Sequence, residues 1–355
     1  MLRRTEPTIS VIIPVYNGGE NFRRCLSSVR QAVPPPAEII VVADGDTDGS
    51  WQVAQEFDVQ VLRTPTAGGP ARARNLGART ARGDLLFFVD ADVTIPADAL
   101  SQVAAVFERE PDLAAVFGSY DDAPAATNFL SQYKNLLHHY VHQTARAEAC
   151  TFWSACGAIR REVFLVMGGF NERYRWPSIE DIELGSRLKQ AGYPIRLCKT
   201  LQVKHLKRWG VVSLLKADFF YRALPWTELI LRDRRFPNDL NVHLSGRVSV
   251  LLIYTLLLTL VAAGWWPAAR VPAAVLVVAL LVLNASLYHF FWRKRGFQFA
   301  VRAILWHWLY YFYSGLAFAL GIARSLFWDR RRATVQVAAD PQQTGSPRQG
   351  TGWHE

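Results

Sequence analysis

The sequence predicts an α/β fold, a mostly parallel sheet with helices on both faces, followed by amphipathic interface helices and an all-α transmembrane region. From Thr8 to about Thr200, short apolar runs alternate with amphipathic stretches, as in chains whose strands and helices alternate. Long apolar runs come only after about Arg247, although 50% of the 355 residues are hydrophobic. The high average therefore combines an ordinary globular part with a membrane part.

Four apolar runs mark the strands of the predicted sheet. Each run is nearly continuous, as expected of strands that are buried on both faces. An Ala- and Arg-rich helix lies between the third run and the fourth, and it begins near Pro70, a residue suited to a first helical turn. The predicted strands are Ile9–Val15, Glu38–Ala43, Val59–Leu62 and Gly83–Asp90.

Polar residues follow three of these strands at the point where each strand ends. They are Pro14–Asn17, Asp44–Asp48 and Asp90–Asp92. Open sheets of this kind bind ligands in the crevice at the carboxyl ends of their strands. The three polar ends are therefore predicted to converge on one cleft.

The triplet Asp90-Ala91-Asp92 is the sharpest local signal. A buried strand that ends in two carboxylates presents oxygen ligands suited to Mg²⁺ or Mn²⁺ and to their bound phosphates. The alternative is a solvated acidic strand end, because Asp is common in turns. Taken alone, the triplet favours the turn.

The segment Val211–Phe236 mixes Leu, Phe, Tyr and Trp with charged residues, and Pro225 interrupts it. This pattern is typical of one or two amphipathic helices in a membrane interface. A surface helix that packs on the first domain is the alternative.

Two apolar segments, Arg247–Trp266 and Val271–Trp292, are long enough to cross a hydrocarbon core of about 30 Å. A third, Ala303–Leu326, is more aromatic and is followed by Arg330–Arg332. Three spans from a cytoplasmic start would leave that basic run outside, against the positive-inside tendency, so the third segment is a span or is interfacial or re-entrant. We expect two or three spans, and a disordered polar tail from Asp340.

The net charge of +10 raises the question of a nucleic-acid partner. The basic clusters, however, lie just before, between or just after apolar runs, where such residues mark a cytoplasmic membrane face and attract anionic lipid. We therefore predict a membrane partner and no nucleic acid. The clusters are Lys204–Arg208, Arg232–Arg235, Arg293–Arg295 and Arg330–Arg332.

The cysteines and the amino terminus indicate a cytosolic compartment for the first domain. Four cysteines are too few for a disulfide framework and show no metal-ligand spacing. The stretch before Ile9 lacks the apolar region of a signal peptide. We expect an integral protein of the cytoplasmic (inner) membrane with its catalytic domain in the cytosol.

Ordered motifs give the chain a resemblance to a known family. Taken together, they resemble family 2 of the nucleotide-sugar glycosyltransferases, which have the GT-A fold, a Rossmann-like mixed sheet with helices on both faces. The resemblance runs from Ser10 to about Leu201. The matching segments are Ser10–Asn17, Val41–Gly45, Ala73–Gly77, Val89–Asp92, Gly168–Asn171 and Glu180–Leu184.

The resemblance implies a nucleoside site at the first two strand ends. Pro14, Tyr16 and Asn17 would line the base and ribose, with the Tyr16 ring stacking on the base. Asp44 would accept a hydrogen bond from the base. The family usually has two consecutive acidic residues here, and this chain has Ala43 in place of the first.

The resemblance also implies a diphosphate and metal site. Arg74 would offer its guanidinium to phosphate oxygens, with a surface salt bridge as the alternative, and the neighbouring Asn75 is assigned to substrate. Asp90 and Asp92 would hold a divalent cation, Mn²⁺ or Mg²⁺, and Asp90 would also face the substrate. His205 is a third candidate metal ligand or an ordinary interfacial histidine.

For the acceptor, the resemblance makes Asp181 the catalytic base, assisted by Glu180, because their mutual repulsion raises the pKa of the pair. If the acceptor is an anionic lipid phosphate, Asp181 positions it instead. Acidic residues in a first helical turn are otherwise simple dipole partners. Trp153 falls in the acceptor region, where it stacks on a sugar or is buried in the core.

The function implied is inverting transfer of a sugar from UDP- or GDP-sugar to a lipid or lipid-linked acceptor, such as polyprenyl phosphate or a glycolipid. The alternatives are a processive polysaccharide synthase and a non-catalytic nucleotide-sugar-binding scaffold. The Gln-x-x-Arg-Trp motif of the synthases is not matched by Arg222–Trp226. We expect a catalytic domain over 1–210, interface helices over 211–245, a transmembrane region over 246–326 and a tail over 327–355.

Overall fold

The computed structural model describes residues 6–233 and 244–339, with side chains described as far as residue 325. Its amino-terminal part is built around an eight-stranded sheet with the order β3-β2-β1-β4-β7-β6-β8-β5. The strands are β1 Ile9–Val15, β2 Glu38–Asp44, β3 Gln60–Thr64, β4 Leu85–Val89, β5 Val93–Thr94, β6 Ala115–Tyr120, β7 Cys156–Arg160 and β8 Ile195–His205.

The four strands predicted from the sequence form the parallel half of this sheet. Strand β1 pairs with β2 and β4, and β3 pairs with β2, all in parallel. In the other half, β7 runs antiparallel to β4 and β6, and β5 runs antiparallel to β8. The sheet is therefore mixed, as the GT-A resemblance implies, and less uniformly parallel than the alternation of elements indicates.

Helices cover both faces of the sheet, as predicted. Because side chains alternate along a strand, Val11 and Val41 point to one core and Ile12 and Val42 to the other. Helices α1, α2 and α4 pack on the first face, and α3, α6 and α7 on the second. The helices up to this point are α1 Gly19–Arg30, α2 Ser50–Gln55, α3 Pro70–Thr80, α4 Ala99–Arg109, α5 Phe129–Thr144, α6 Arg161–Val166 and α7 Glu180–Gln190.

The carboxy-terminal part is helical throughout the described residues. An uninterrupted helical segment begins at Val211 and changes to π geometry over Ala217–Ala223. Helix α5 joins the two parts, because Tyr133 packs with Phe291 and Ala303 in one buried cluster. The helices are α8 Val211–Lys216, the π-helix Ala217–Ala223, α9 Leu224–Asp233, α10 Leu244–Ala262, α11 Arg270–Leu283, α12 Ala285–Arg295 and α13 Phe297–Ala339.

The structure describes the segments in which we expected two or three spans. Among the described residues, α10 is the one helix long and apolar enough to cross a membrane. Helices α11 and α12 meet at Asn284 with a bend of 65°, so they add a second span only if the bent pair counts as one. The third predicted span lies inside the 43-residue α13 and does not qualify, since its Trp, Tyr and His side chains lower its hydropathy. The predicted disordered tail, from Asp340, lies outside the described residues.

Candidate active site

The turn after β4 carries the two predicted metal carboxylates. The N–H of Asp90 donates to the carbonyl of Ala155, 3.2 Å away, and the N–H of Val93 donates back to the Asp90 carbonyl at 3.1 Å. These bonds fix the turn to the strand before it and to the loop before β7. The side chains of Asp90 and Asp92 are each 31% exposed. Both carboxylates therefore remain open to a ligand from the cleft.

Strand pairing brings His205 to Asp92. Val93 of β5 lies opposite His205 of β8, and the N–H of Leu206 donates to the Asp92 carbonyl at 2.8 Å. The His205 Nε2 atom is consequently 3.7 Å from an Asp92 carboxylate oxygen. Burial raises the pKa of Asp92, but His205 and the Lys207 charge outweigh it and lower that pKa to about 2. Asp92 is therefore ionised and lies beside His205, and the role of His205 as a metal ligand stays a prediction.

Arg74 lies between two acidic residues of the site. Its guanidinium donates to Asp90 at 2.6 Å and to Glu180 at 2.8 Å, and the residue is only 4% exposed. Burial lowers the pKa of Arg74, yet the charges of Asp90 and Glu180 raise it further, so it stays protonated. The sequence predicted a phosphate contact or a surface salt bridge. The structure has a buried bridge that joins α3, the β4 turn and α7.

The predicted base, Asp181, stands in the first turn of α7. Its carboxylate accepts hydrogen bonds from the N–H and the hydroxyl of Ser154 at 3.1 and 3.3 Å, and from the N–H of Ile182 at 2.8 Å. Burial and then the charge of Glu180 raise the pKa of Asp181 to about 6, against the opposing effect of the Ser154 N–H and of Arg74. A carboxylate with this pKa is well matched to accepting a proton near neutral pH.

The residues present fit a divalent cation whose ligands come partly from the protein and partly from a substrate. In the part of the chain that the structure describes, no group of three or more His, Cys, Asp or Glu side chains is arranged to hold a metal by itself. Mg²⁺ and Mn²⁺ sites in phosphate-handling enzymes commonly use one or two carboxylates together with water and substrate phosphates. Asp90 and Asp92 are two carboxylates of that kind, and the His205 imidazole lies beside Asp92.

At the predicted nucleoside end of the cleft, the side chains differ in exposure and in hydrogen bonding. The Tyr16 ring is 59% exposed at the end of β1, beside the partly buried Pro14. The Asn17 side-chain oxygen accepts the Thr47 N–H at 2.8 Å. Tyr16 is therefore available for stacking on a base, whereas Asn17 also ties two loops together.

Asp44 already has several partners. Its carboxylate accepts the N–H groups of Gly68 and Gly69 at 2.7 to 3.0 Å and the Thr64 hydroxyl at 2.8 Å, and the residue is 4% exposed. It thereby fixes the loop from which α3 carries Arg74. A bond to a base would be additional to these contacts, so its predicted role stays a prediction.

Asn75, which the resemblance assigns to substrate, has several partners within the chain. Its amide donates to the Phe170 carbonyl at 2.8 Å and to Glu172 at 2.9 Å, and its oxygen accepts the Phe170 N–H at 2.8 Å. These bonds hold α3 against the loop that follows α6, and the role of Asn75 toward substrate stays a prediction. Trp153 is partly buried against both cores, and its predicted stacking on a sugar also stays a prediction.

Two neighbours of the site carried no signal in the sequence. Tyr120 stacks on His205 with ring centroids 4.3 Å apart and planes 14° apart, and it makes an edge contact with Trp153 at 4.8 Å. The hydroxyl of Ser178, just before Glu180, donates to the Tyr221 carbonyl in the π-helix. Neither residue belongs to a motif. Tyr120 contacts His205 and Ser178 contacts Tyr221, in each case across more than 40 residues of the chain.

Comparison with known proteins identifies a family domain in the sheet region. Residues 10–167 match the family model described as glycosyl transferase family 2. An uncharacterized glycosyltransferase of Haemophilus influenzae is 28% identical over 214 residues, 57% of this chain and 70% of the relative. The glycosyltransferase GlyG of Streptococcus pneumoniae is 32% identical over 118 residues, which are 32% of this chain and only 38% of that relative.

A solved structure resembles the chain over most of its length. It is a mannosyltransferase from Pyrobaculum calidifontis in complex with GDP-Man and Mn²⁺, with a TM-score of 0.55, 17% identity, and coverage of 86% of this chain and 88% of that one. At such an identity the likeness concerns the fold, which is GT-A with a helical region after it. Residues 10–167 therefore form a glycosyl transferase family 2 domain, and this match, the relatives and the shared fold support a glycosyltransferase.

Proposed function

We propose that this enzyme transfers a sugar, with inversion, from a UDP- or GDP-sugar to a lipid or lipid-linked acceptor at the cytoplasmic face of a membrane. One observation carries the proposal. Arg74 bridges Asp90 and Glu180, and Glu180 precedes Asp181 in the first turn of α7, which supports a donor-phosphate site and a base that act in one cleft.

On the donor side, Asp90, Asp92 and His205 would hold Mn²⁺ or Mg²⁺, which neutralises charge on a departing diphosphate. Tyr16 supplies an exposed ring for the base. Arg74 keeps the Asp90 carboxylate ionised and oriented, since it donates a charge-assisted hydrogen bond to it. These side chains bind and orient the donor and leave one face of the sugar for attack.

On the acceptor side, Asp181 accepts the proton of the attacking hydroxyl. The Ser154 N–H and hydroxyl hold the carboxylate in place, and burial keeps its pKa near 6. The new bond forms on the sugar carbon as the bond to the diphosphate breaks on the opposite face, so the configuration inverts. With an acceptor that is already an anionic phosphate, Asp181 positions the attacking oxygen.

The membrane part of the proposal rests on the helices that follow β8. Helix α10 meets the length and apolarity of a span. The helical region joins the catalytic sheet through α5 and through the hydrogen bond from Ser178 to the π-helix. An acceptor anchored in a bilayer would thus reach the cleft. We accordingly propose the division into a catalytic domain over 1–210, interface helices over 211–245 and a transmembrane region over 246–326.

The test is to incubate membranes that contain the full chain with radiolabelled UDP- and GDP-sugars and Mn²⁺ or Mg²⁺, and to extract the lipids. We expect label in the organic phase, and its loss when EDTA is added. Asp181→Asn should lower transfer by about a hundredfold or more while the donor still binds. Asp92→Asn should lower transfer to a similar extent and weaken donor binding.

Asp112→Asn is the matched control, because Asp112 is exposed in a turn outside the site. Its transfer rate should equal that of the natural chain. Label that stays in the aqueous phase with every donor would contradict the lipid acceptor. Undiminished transfer by Asp92→Asn would contradict the metal assignment.

A further inference from the structure

A small cavity lies where the π-helix, α5, α9 and α13 meet. Its volume is about 70 Å³, enough for a few water molecules or one small anion and too little for a sugar ring. Two cationic side chains, Lys134 and Arg222, line it. The remaining lining residues include His138, Asp218, Trp226, Tyr310 and Ser314. We refer to this cavity as the π-helix pocket.

The charges of the π-helix pocket do not balance. Lys134 donates to Asp218 at 2.6 Å, and the other Asp218 oxygen accepts the Tyr313 hydroxyl at 2.9 Å. Arg222 approaches the same carboxylate only to 3.8 Å, and its side chain is 44% exposed. One carboxylate thus faces two cations, and the more loosely held cation is an Arg, whose planar fork of donors suits phosphate oxygens.

A polar atom in the wall adds a second indication. The Nδ1 atom of His138 is buried and makes no hydrogen bond within the described part of the chain. Buried polar atoms are seldom left without a partner. A ligand or an ordered water in the π-helix pocket would supply one.

The π-helix pocket adjoins the active site through a short series of rings. His138 packs on Tyr120 at 4.8 Å and on Trp153 at 4.9 Å. Tyr120 stacks on His205, and Ser154, next to Trp153, holds Asp181. The pocket is thereby separated from the candidate base by one layer of side chains.

The opposite wall belongs to the helical region. Trp226 comes from α9, and Tyr310 and Ser314 come from α13. Near them, Phe220 of the π-helix is 58% exposed. A cation at such a boundary is well placed to bind the phosphate of a molecule whose apolar part lies in a bilayer.

We propose that the π-helix pocket binds the phosphate group of the acceptor, with Arg222 as its main ligand and Lys134 and His138 as supporting contacts. This inference rests on the proposed function, since it specifies the acceptor as a phosphate-bearing molecule. The bound phosphate anchors the acceptor one layer of side chains away from Asp181, so the attacking oxygen is a hydroxyl of the acceptor and not an oxygen of the bound phosphate. Arg222 is therefore a positioning residue for the acceptor and does not contact the donor.

The first measurement is equilibrium binding to the purified full chain in detergent, without donor or metal. The probes are farnesyl phosphate, farnesol and inorganic phosphate. We expect farnesyl phosphate to bind and farnesol to bind at least about tenfold more weakly, because it lacks the charged group. Arg222→Gln should weaken farnesyl phosphate binding about tenfold or more, and Arg222→Lys should restore part of it.

Arg324→Gln is the matched control, since it removes one exposed positive charge from the same helical region, where Arg324 pairs with Glu228 at 3.4 Å. It should bind farnesyl phosphate as the natural chain does. Comparison with inorganic phosphate identifies the source of the anion: tighter binding of farnesyl phosphate indicates a lipid phosphate, and equal binding a free phosphate. Unchanged binding by Arg222→Gln would overturn the proposal.

A second measurement separates this inference from the proposed function. Binding of UDP and GDP with Mn²⁺ should be the same in Arg222→Gln as in the natural chain, while the KM for a phosphate-bearing acceptor rises about tenfold or more. An equal loss of donor binding would overturn the acceptor assignment, because the pocket would then serve the donor. The proposed function fails separately, if no lipid is labelled although farnesyl phosphate binds through Arg222.

Discussion

The sheet region and the helical region differ in the side chains that they bury and expose. In the sheet region the interior is apolar, and among its few buried charges Arg74 bridges Asp90 and Glu180. In the helical region large apolar side chains point outward, with Leu258 of α10 71% and Val271 of α11 69% exposed. This difference indicates that the two regions have different surroundings.

The interior of the helical region contains a polar group among its apolar clusters. Asn284, Ser249 and Tyr311 are buried there and bonded to one another, with the Asn284 amide donating to Ser249 at 3.0 Å and accepting from the Tyr311 hydroxyl at 2.7 Å. Large exposed apolar surfaces mark contact with a partner or a membrane. Polar side chains inside a bundle and apolar ones outside it are typical of helices surrounded by lipid. This inversion supports the proposed membrane association.

The largest predicted effect concerns the buried bridge of the sheet region. Arg74→Met leaves Asp90 and Glu180 without their buried cation, and we expect it to lower the free energy of unfolding by about 3–5 kcal/mol. Thermal or urea unfolding of the full chain in detergent measures this. Arg79→Met, on the same helix but exposed and 3.8 Å from Glu172, should cost about 1 kcal/mol or less. Equal effects of the two substitutions would show that burial of the bridge is unimportant.

The next largest effect concerns the outer surface of the helical region. Leu258→Arg places a charge on the exposed face of α10, and we expect it to disfavour membrane insertion by about 2.5–3.5 kcal/mol. The readout is the fraction of chain recovered in carbonate-washed membranes. Leu258→Ile is the control and should insert normally. If α10 instead faces water, the Arg variant will partition as the natural chain does.

The pH dependence of catalysis tests the environment of Asp181. Since burial and the Glu180 charge raise its pKa to about 6 and the base acts when ionised, kcat/KM should fall about tenfold per pH unit below 6. Above that value it should level off. Glu180→Gln removes the neighbouring negative charge and should move the midpoint to lower pH. A midpoint near 4 in the natural chain would contradict the buried setting of Asp181.

The smallest effect lies in the polar interior of the helical region. Asn284→Ala removes the bonds to Ser249 and Tyr311, and we expect a loss of about 0.6–2 kcal/mol of stability, as for other hydrogen bonds between membrane helices. Unfolding in mixed micelles measures it. Ser286→Ala, two residues after Asn284 and exposed in α12, is a suitable comparison. A loss as large as that of Arg74→Met would show that the two interiors are held together alike.

Much of the sheet region could be predicted because its signals are local. Each of the four predicted strands is a short apolar run, and each of the four is a strand of the sheet. The placement of Asp90 and Asp92 at a strand end follows from the same pattern. The helical region was harder to predict, because a window of apolar residues contains no information on where a helix bends. The 65° break at Asn284 and the continuation of α13 to Ala339 depend on packing between helices.

The sequence by itself indicated the class of the enzyme and suggested residues for its cleft, since ordered motifs on apolar strands are properties of the chain read in one direction. Tertiary structure alone decided which of those residues contact each other. Pairing of β5 with β8 sets His205 beside Asp92, and Arg74 of α3 forms a buried bridge to Glu180 of α7. It also assembled the π-helix pocket, whose Lys134 and Arg222 come from separate helices. Electrostatic and hydrogen-bond partners are groups that lie close together in space. Their distances are fixed only when the sheet and the helices have packed.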